Sequence, residues 1–293
     1  MARLRLTAGI ALLASAALPG ALAWGAMGHE TVAYIASNFA APATKTYLQG
    51  LLGDASADYL AGVASWADSY RYTAAGSFSA PFHYIDASDG PPAACGVDYD
   101  RDCGAAGCIV SAIRNYTTIL LDGRYSAANH QIAAKMIIHF VGDIGQPLHC
   151  EGLDEGGNTI DVSYAGDATN LHAIWDSDIP ESISGGSSMA SAKSWATTLT
   201  AAINTGEYKS LAAGWITGLS VATAASRQAT ALKWAAEANA YVCSTVLKGG
   251  IGAVENKDLS GAYTTAADPV VKLQIAKQGY RLAKYLDAIV AAI

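Results

Sequence analysis

Positive charge is scarce in this chain. Of its 293 residues, 18 are lysine or arginine against 25 aspartate or glutamate, a formal net charge of −7. That balance excludes a protein that grips nucleic acid through a general basic surface. Charge of either sign is thin, at 15% beside 52% hydrophobic residues, so intrinsic disorder is excluded and a sizeable core is within reach. Five cysteines are too few for a disulfide scaffold and suit a secreted protein with two bridges and one thiol left over. There is no internal repeat, charge block or low-complexity linker, which favours one domain over the two that the length would allow. Membrane-spanning runs are missing as well: the best candidate, Ile10 to Leu18, falls short of the ~20 residues a span requires. With Arg3 and Arg5 ahead of it, and Ala21 and Ala23 framing an A-x-A site before Trp24, that run reads as a secretory signal peptide over 1–23. Cleavage removes two arginines and no acid, taking the charge from −7 to −9, and leaves a secreted, anchor-free domain over 24–293.

What is present is largely helical periodicity. Val32, Ile35, Ala36 and Phe39 recur at spacings of three and four, as do Tyr59, Leu60, Val63, Ala64 and Ala67. The clearest stripe is Ile132, Ala133, Met136, Ile137, Phe140, Val141 and Ile144, with Ser126 upstream as an N-cap. Near the C-terminus, Asp268 and Pro269 have the form of an N-cap and first-turn proline for a last helix carrying Val271, Ile275, Leu282, Leu286 and Ile289. Alternation is confined to Ile160–Tyr164, one strand of a short hairpin. The expectation is a mainly α, single-domain helical bundle with at most a short β-hairpin.

Chemistry gathers on the histidines. His139 and Asp143 stand four apart on the periodic helix and flank its apolar stripe, so both point inward. A buried carboxylate needs a partner. His172 and Asp176 repeat the spacing, and His149 follows the helix-stopping Gln146-Pro147. Imidazole and carboxylate at i, i+4 suit zinc, although any one of these histidines is about equally well read as a core imidazole bonded to a backbone carbonyl. His130 is placed in an exposed turn ahead of the helix and is given no role. Asn115-Tyr116-Thr117 is an N-glycosylation sequon.

Five segments together carry a resemblance: Trp24-Gly25-Ala26-Met27-Gly28-His29-Glu30, Ser65-Trp66-Ala67-Asp68, His83-Tyr84-Ile85-Asp86, His139 to His149, and Asn170-Leu171-His172 to Trp175-Asp176. In this order the chain, from Trp24 nearly to its end, resembles the fungal zinc-dependent, single-strand-specific nucleases of the S1/P1 family. The resemblance implies a helical fold with three zinc ions in one cleft. Asp68, His83, His139 and Asp143 would hold one ion. Asp143 would bridge to a second, bound also by His29 and by the amine and carbonyl of Trp24, and His149, His172 and Asp176 would hold the third. Asp68 and Arg71 fall on catalytic positions, Arg71 beside the scissile phosphate, while Tyr84, Asp86 and Asn158 fall at the base-binding site. Cys95–Cys243 and Cys103–Cys108 match the family's disulfides, and Asn115 matches a glycosylated position. The implied substrates are single-stranded DNA, RNA and 3′-nucleotides, with 5′-phosphorylated products and no protein partner. Cys150 stands where relatives usually have aspartate, Glu155 where the base pocket is usually small or apolar, and Ser177-Asp178 where one relative offers a tyrosine. The competing readings are a zinc phospholipase C, which shares a three-zinc cage, and a secreted zinc-binding protein without catalysis.

Overall fold

The computed structural model describes residues 24–293, so the expected signal peptide, 1–23, lies outside the described residues. Among them are thirteen α-helical segments and a single two-stranded antiparallel sheet. Seven helices frame the site and the core: α1 (Ala26–Phe39), α2 (Trp66–Tyr70), α3 (Ile109–Leu121), α4 (Ala127–Asp143), α5 (Met189–Asn204), α6 (Ala224–Tyr241) and α7 (Ala262–Val290). The hairpin pairs β1 (Asp161–Tyr164) with β2 (Asp167–Asn170), Asp161 opposite Asn170. Its turn residues Ala165 and Gly166 both have positive φ, 53° and 92°, the twist a two-residue hairpin turn requires.

The apolar stripes dictate the packing. α1 buries Val32, Ile35 and Ala36 against α7 and α5, and α4 buries Met136, Ile137, Phe140 and Val141 against α3. The contact between α1 and α7 is close because residue 279 is glycine: a Cβ there would stand 2.5 Å from Ile35. Ser126 caps α4, its hydroxyl accepting from the Asn129 amide at 3.2 Å. Two disulfides, Cys95–Cys243 and Cys103–Cys108, tie the loops that precede α3 to the body and to each other, and Cys150 is a buried free thiol.

Three local expectations are corrected. Asp268-Pro269 does not start the last helix, which begins two turns earlier at Ala262 with Pro269 inside it. Those turns are held by tertiary bonds that outweigh the proline's lost amide: the Tyr263 hydroxyl accepts from Trp175 at 2.7 Å and donates to the Val246 carbonyl at 3.0 Å. Asp268 pairs with Lys272 instead of capping. The stretch Tyr59–Ala67 is not one helix but a 3-10 turn, Ala61–Val63, followed by α2, and the Ala64 carbonyl between them accepts from His139 at 2.7 Å. His130 lies within the first turns of α4, half-buried, its ring bonded to the Asp122 carbonyl at 3.1 Å. The helix starts where the Ser126 cap places it, so the residues around His130 are helical and not a turn ahead of the helix.

Candidate metal centre

α4 delivers His139 and Asp143 into the interior, both fully buried. One oxygen of Asp143, Oδ2, lies 3.1 Å from His139 Nε2 and 3.1 Å from His83 Nδ1. The other, Oδ1, lies 3.0 Å from His29 Nε2. Asp68, from α2, closes the group with Oδ1 at 3.5 Å from His139 and 3.7 Å from His83. His29 comes from α1 and stacks on His139 at 4.0 Å between ring centroids. That approach needs Gly142, since a Cβ at 142 would stand 2.8 Å from His29 Nδ1. His83 ends a 3-10 helix, Ser77–His83.

A second cluster adjoins the first through the chain: the carbonyl of His83 accepts from His149 Nδ1 at 2.8 Å. His149 Nε2 lies 3.6 Å, and His172 Nε2 3.2 Å, from the Asp176 carboxylate. Asp176 sits on a π-helical turn, Ile174–Asp178, an irregularity that often re-aims side chains at sites. Its Oδ1 also accepts from Gln146 Nε2 at 2.6 Å. The Asp176 carbonyl takes the Gly25 amide at 2.7 Å, and the Trp24 indole donates to the Gly142 carbonyl at 3.1 Å. Trp24 is thereby fixed between the two clusters.

The protonation pattern fits metal ligands. His139, His149 and His172 each direct Nδ1 at a backbone carbonyl, of Ala64, His83 and Gly156 respectively, which leaves Nε2 as a lone pair facing inward. The Nε2 atoms of His149 and His172 face each other at 3.1 Å. Two lone pairs at that distance repel unless a cation or a proton stands between them. Asp68 Oδ1, Asp143 Oδ1, Asp176 Oδ2 and both His29 nitrogens are buried without a hydrogen bond, a pattern expected of atoms that ligate a metal ion. Three His and Asp groups have ligand atoms close enough to share an ion: His29-Asp68-His139, His83-His139-Asp143 and His149-His172-Asp176. Electrostatics agree. Burial opposes ionisation of Asp143, yet positive charge at the His139 and His29 positions, where a metal ion would also supply it, holds its carboxyl well below the usual carboxylate range. Asp68 falls to about 2, with burial again overcome chiefly by His139. Burial pushes His83 down to about 4.

The other expected residues sit around this centre. Arg71 follows α2, its guanidinium donating to the Tyr72 hydroxyl at 3.1 Å and lying 5.1 Å from that ring. Its charge is felt at Tyr84, which is 38% exposed. Asp86 is exposed, and burial, Asp102 and Glu155 raise its pKa. The loop bearing Glu155 is left-handed at Asp154, Glu155, Gly156 and Gly157, with φ between 50° and 80°, strain of the kind concentrated at functional sites. Asn158 spends its amide on the Glu155 carbonyl at 2.7 Å. The Cys150 thiol points at the Ile144 carbonyl, 3.6 Å away, and burial raises its pKa. Two contributors went unread in the sequence: Gly142, visible there only as a glycine on the buried face of a helix, and Gln146, which looked like a helix stop.

A helical scaffold that closes around three buried imidazole and carboxylate groups defines a candidate multinuclear metal centre. Comparison with known proteins specifies which. The S1/P1 Nuclease family model matches residues 24–291, and the chain belongs to that family. It is 53% identical to Nuclease S1 of Aspergillus oryzae, the alignment covering 91% of each chain. It is 46% identical to Nuclease P1 of Penicillium citrinum, over 91% of this chain and 97% of that one. With Endonuclease 2 of Arabidopsis thaliana it shares 32% identity over 93% and 92%.

Proposed function

We propose that the protein is a secreted, zinc-dependent endonuclease that cleaves single-stranded DNA and RNA to 5′-phosphorylated products and removes phosphate from 3′-nucleotides. Asp68, His83, His139 and Asp143 would hold one zinc ion; Asp143, His29 and the Trp24 amine and carbonyl a second; His149, His172 and Asp176 the third. The observation that carries this reading is the split use of Asp143, one oxygen toward His29 and the other toward His83 and His139, in a chain of this family. Zinc bound there would supply Lewis acidity and lower the pKa of water enough to make hydroxide available as a nucleophile near neutral pH.

The chain's own groups do the rest. Three dications against Asp68, Asp143 and Asp176 leave a local surplus of about +3, so an acidic protein attracts a phosphate at this one place. Asp68, whose carboxyl His139 holds below the usual range against the cost of burial, would orient the attacking water. Arg71 pairs with the phosphoryl oxygens as charge builds on them. Tyr84 offers a ring face to a base, and Asp86 accepts from the base's N–H edge. A base inside a duplex is already stacked, which gives the single-strand preference. The relatives' names are nucleases, which favours this reading over a phospholipase C.

Metal analysis of purified protein, with hydrolysis of denatured DNA, RNA and a 3′-nucleotide measured before and after chelation, tests the proposal. Three zinc per chain, with activity lost on stripping and restored by zinc, is the expected result. Full turnover without metal, or zinc without turnover, overturns it.

A further inference from the structure

Beside the metal centre, α2, α3, the start of α4 and the 3-10 helix Ser77–His83 carry an apolar groove of about 380 Å³ that none of the candidate ligands lines, a size suited to a small organic group. Its walls include Tyr70, Phe78, Phe82 and Tyr116, together with Asn115 and Asn129. Phe78 is 56% exposed and meets Phe82 edge to face at 5.9 Å, and Phe82 meets Tyr116 at 6.4 Å. The lining residue Asn115 is itself the sequon asparagine, exposed on α3. We propose that this groove is a seat for the innermost sugars of an N-linked glycan on Asn115, which packs its C–H faces on the aromatic rings.

The attachment supplies the occupant. A sugar bonded to Asn115 is held beside the groove at an effective concentration that a free ligand rarely reaches. No charged side chain lines the groove, which suits an uncharged sugar with apolar faces and polar edges. Asn115 also borders a second depression of about 280 Å³ that contains Arg114, Ser111 and backbone of Gly104–Gly107. Its polar surface is well served by water, whereas the exposed aromatic groove is costly to leave bare.

Timing follows from Thr117. Its hydroxyl is buried, donates to the Ile113 carbonyl at 2.7 Å and lies 2.9 Å from the Tyr285 hydroxyl, so a transferase cannot read the sequon in the folded chain. Modification therefore precedes the packing of α3 on α7. In that step Asn115 Nδ2 bonds to C1 of an N-acetylglucosamine as the bond between C1 and the pyrophosphate oxygen of a lipid-linked oligosaccharide breaks; the lipid pyrophosphate leaves with that electron pair and one amide proton passes to a base of the transferase.

The inference rests on the secreted reading and not on nuclease activity. The test uses protein secreted from a eukaryotic host. Glycopeptide mass should show Asn115 occupied. The folded protein is then trimmed to a single N-acetylglucosamine, and its binding of a hydrophobic dye is compared with that of the full glycoform and of Asn115→Gln. The trimmed and full forms should match, and Asn115→Gln should bind several-fold more. Phe78→Ala should lower the melting temperature of the glycosylated protein and change that of Asn115→Gln by less than half as much. An unoccupied Asn115, equal dye binding in all three forms, or an equal Phe78→Ala effect in both backgrounds overturns the proposal. So does a Phe78→Ala effect confined to KM for an oligonucleotide, which would assign the groove to the nucleic-acid strand.

Discussion

Asp143 is the residue on which the centre turns, since its two oxygens face different imidazoles. Asp143→Ala should abolish hydrolysis and release at least one zinc per chain, read by metal analysis beside a rate measurement. Retained activity would count against the shared-carboxylate arrangement. Gly142 acts one residue earlier. Alanine there meets His29 Nδ1 at 2.8 Å, so Gly142→Ala should displace His29, cost the second ion and slow turnover at least tenfold. The better helix propensity of alanine, about 1 kcal/mol, should keep the variant folded, and circular dichroism with zinc stoichiometry checks both. Trp24 makes the third case. If its free amine is a ligand, one extra alanine before it replaces an amine of ordinary pKa about 7.7–8.0 with an amide whose lone pair is delocalised. Protein starting at Trp24 and protein with that alanine should then differ in bound zinc and in rate. Equal values, with the extension confirmed by mass, would rule out chelation by the amine.

Among the elements, α7 bears the most buried charge. Its 29 residues extend about 43 Å at 1.5 Å per residue, and its inner face carries Lys277 and Arg281 toward Glu237 of α6. The carboxylate bonds Arg281 closely and leaves Lys277 at 3.6 Å. Burial, then Arg281, lower Lys277 from 10.5 to about 8, with Lys233 adding to the fall and Glu237 opposing it. Between those two pH values the unfolded chain binds a proton that the folded chain does not, so this group makes stability rise with pH across that window. Below about pH 8 the buried ammonium is a cost. Lys277→Met keeps the apolar stem and removes the charge, and should raise the melting temperature at pH 7 by about 2–4 °C for each kcal/mol relieved. The advantage should vanish near pH 10.5. Melting both proteins at the two pH values measures it, and a lower melting temperature for the variant at pH 7 would show that Glu237 needs both cations.

For the molecule as a whole, the two disulfides differ in reach. Cys95–Cys243 closes 148 residues and Cys103–Cys108 closes five. Chain entropy assigns about 5 kcal/mol to the first and about 2 kcal/mol to the second. Replacing each pair by serines and unfolding in denaturant should show the larger loss for the long loop, and the reverse order would place the stabilisation in local strain. Much of this architecture was legible beforehand. The α1 and α4 stripes, the Ser126 cap, the hairpin and the inward pair His139 and Asp143 follow from period and capping chemistry, which are properties of neighbouring residues. The start of α7 was misread because Pro269 is a strong local signal, while the bonds that override it come from Trp175 and Val246, remote in sequence. Likewise Tyr59–Ala67 has helical spacing but gives a carbonyl to His139. The sequence by itself determined which residues can ligate a metal, which faces are apolar and that the chain is helical, because donor chemistry and periodicity are written residue by residue. Only the tertiary structure decided that the Nε2 atoms of His149 and His172 meet at 3.1 Å, that Gly142 admits His29, and that Asp143 divides its oxygens. Those facts depend on the approach of helices far apart in the chain, which is set by the packing of the whole core.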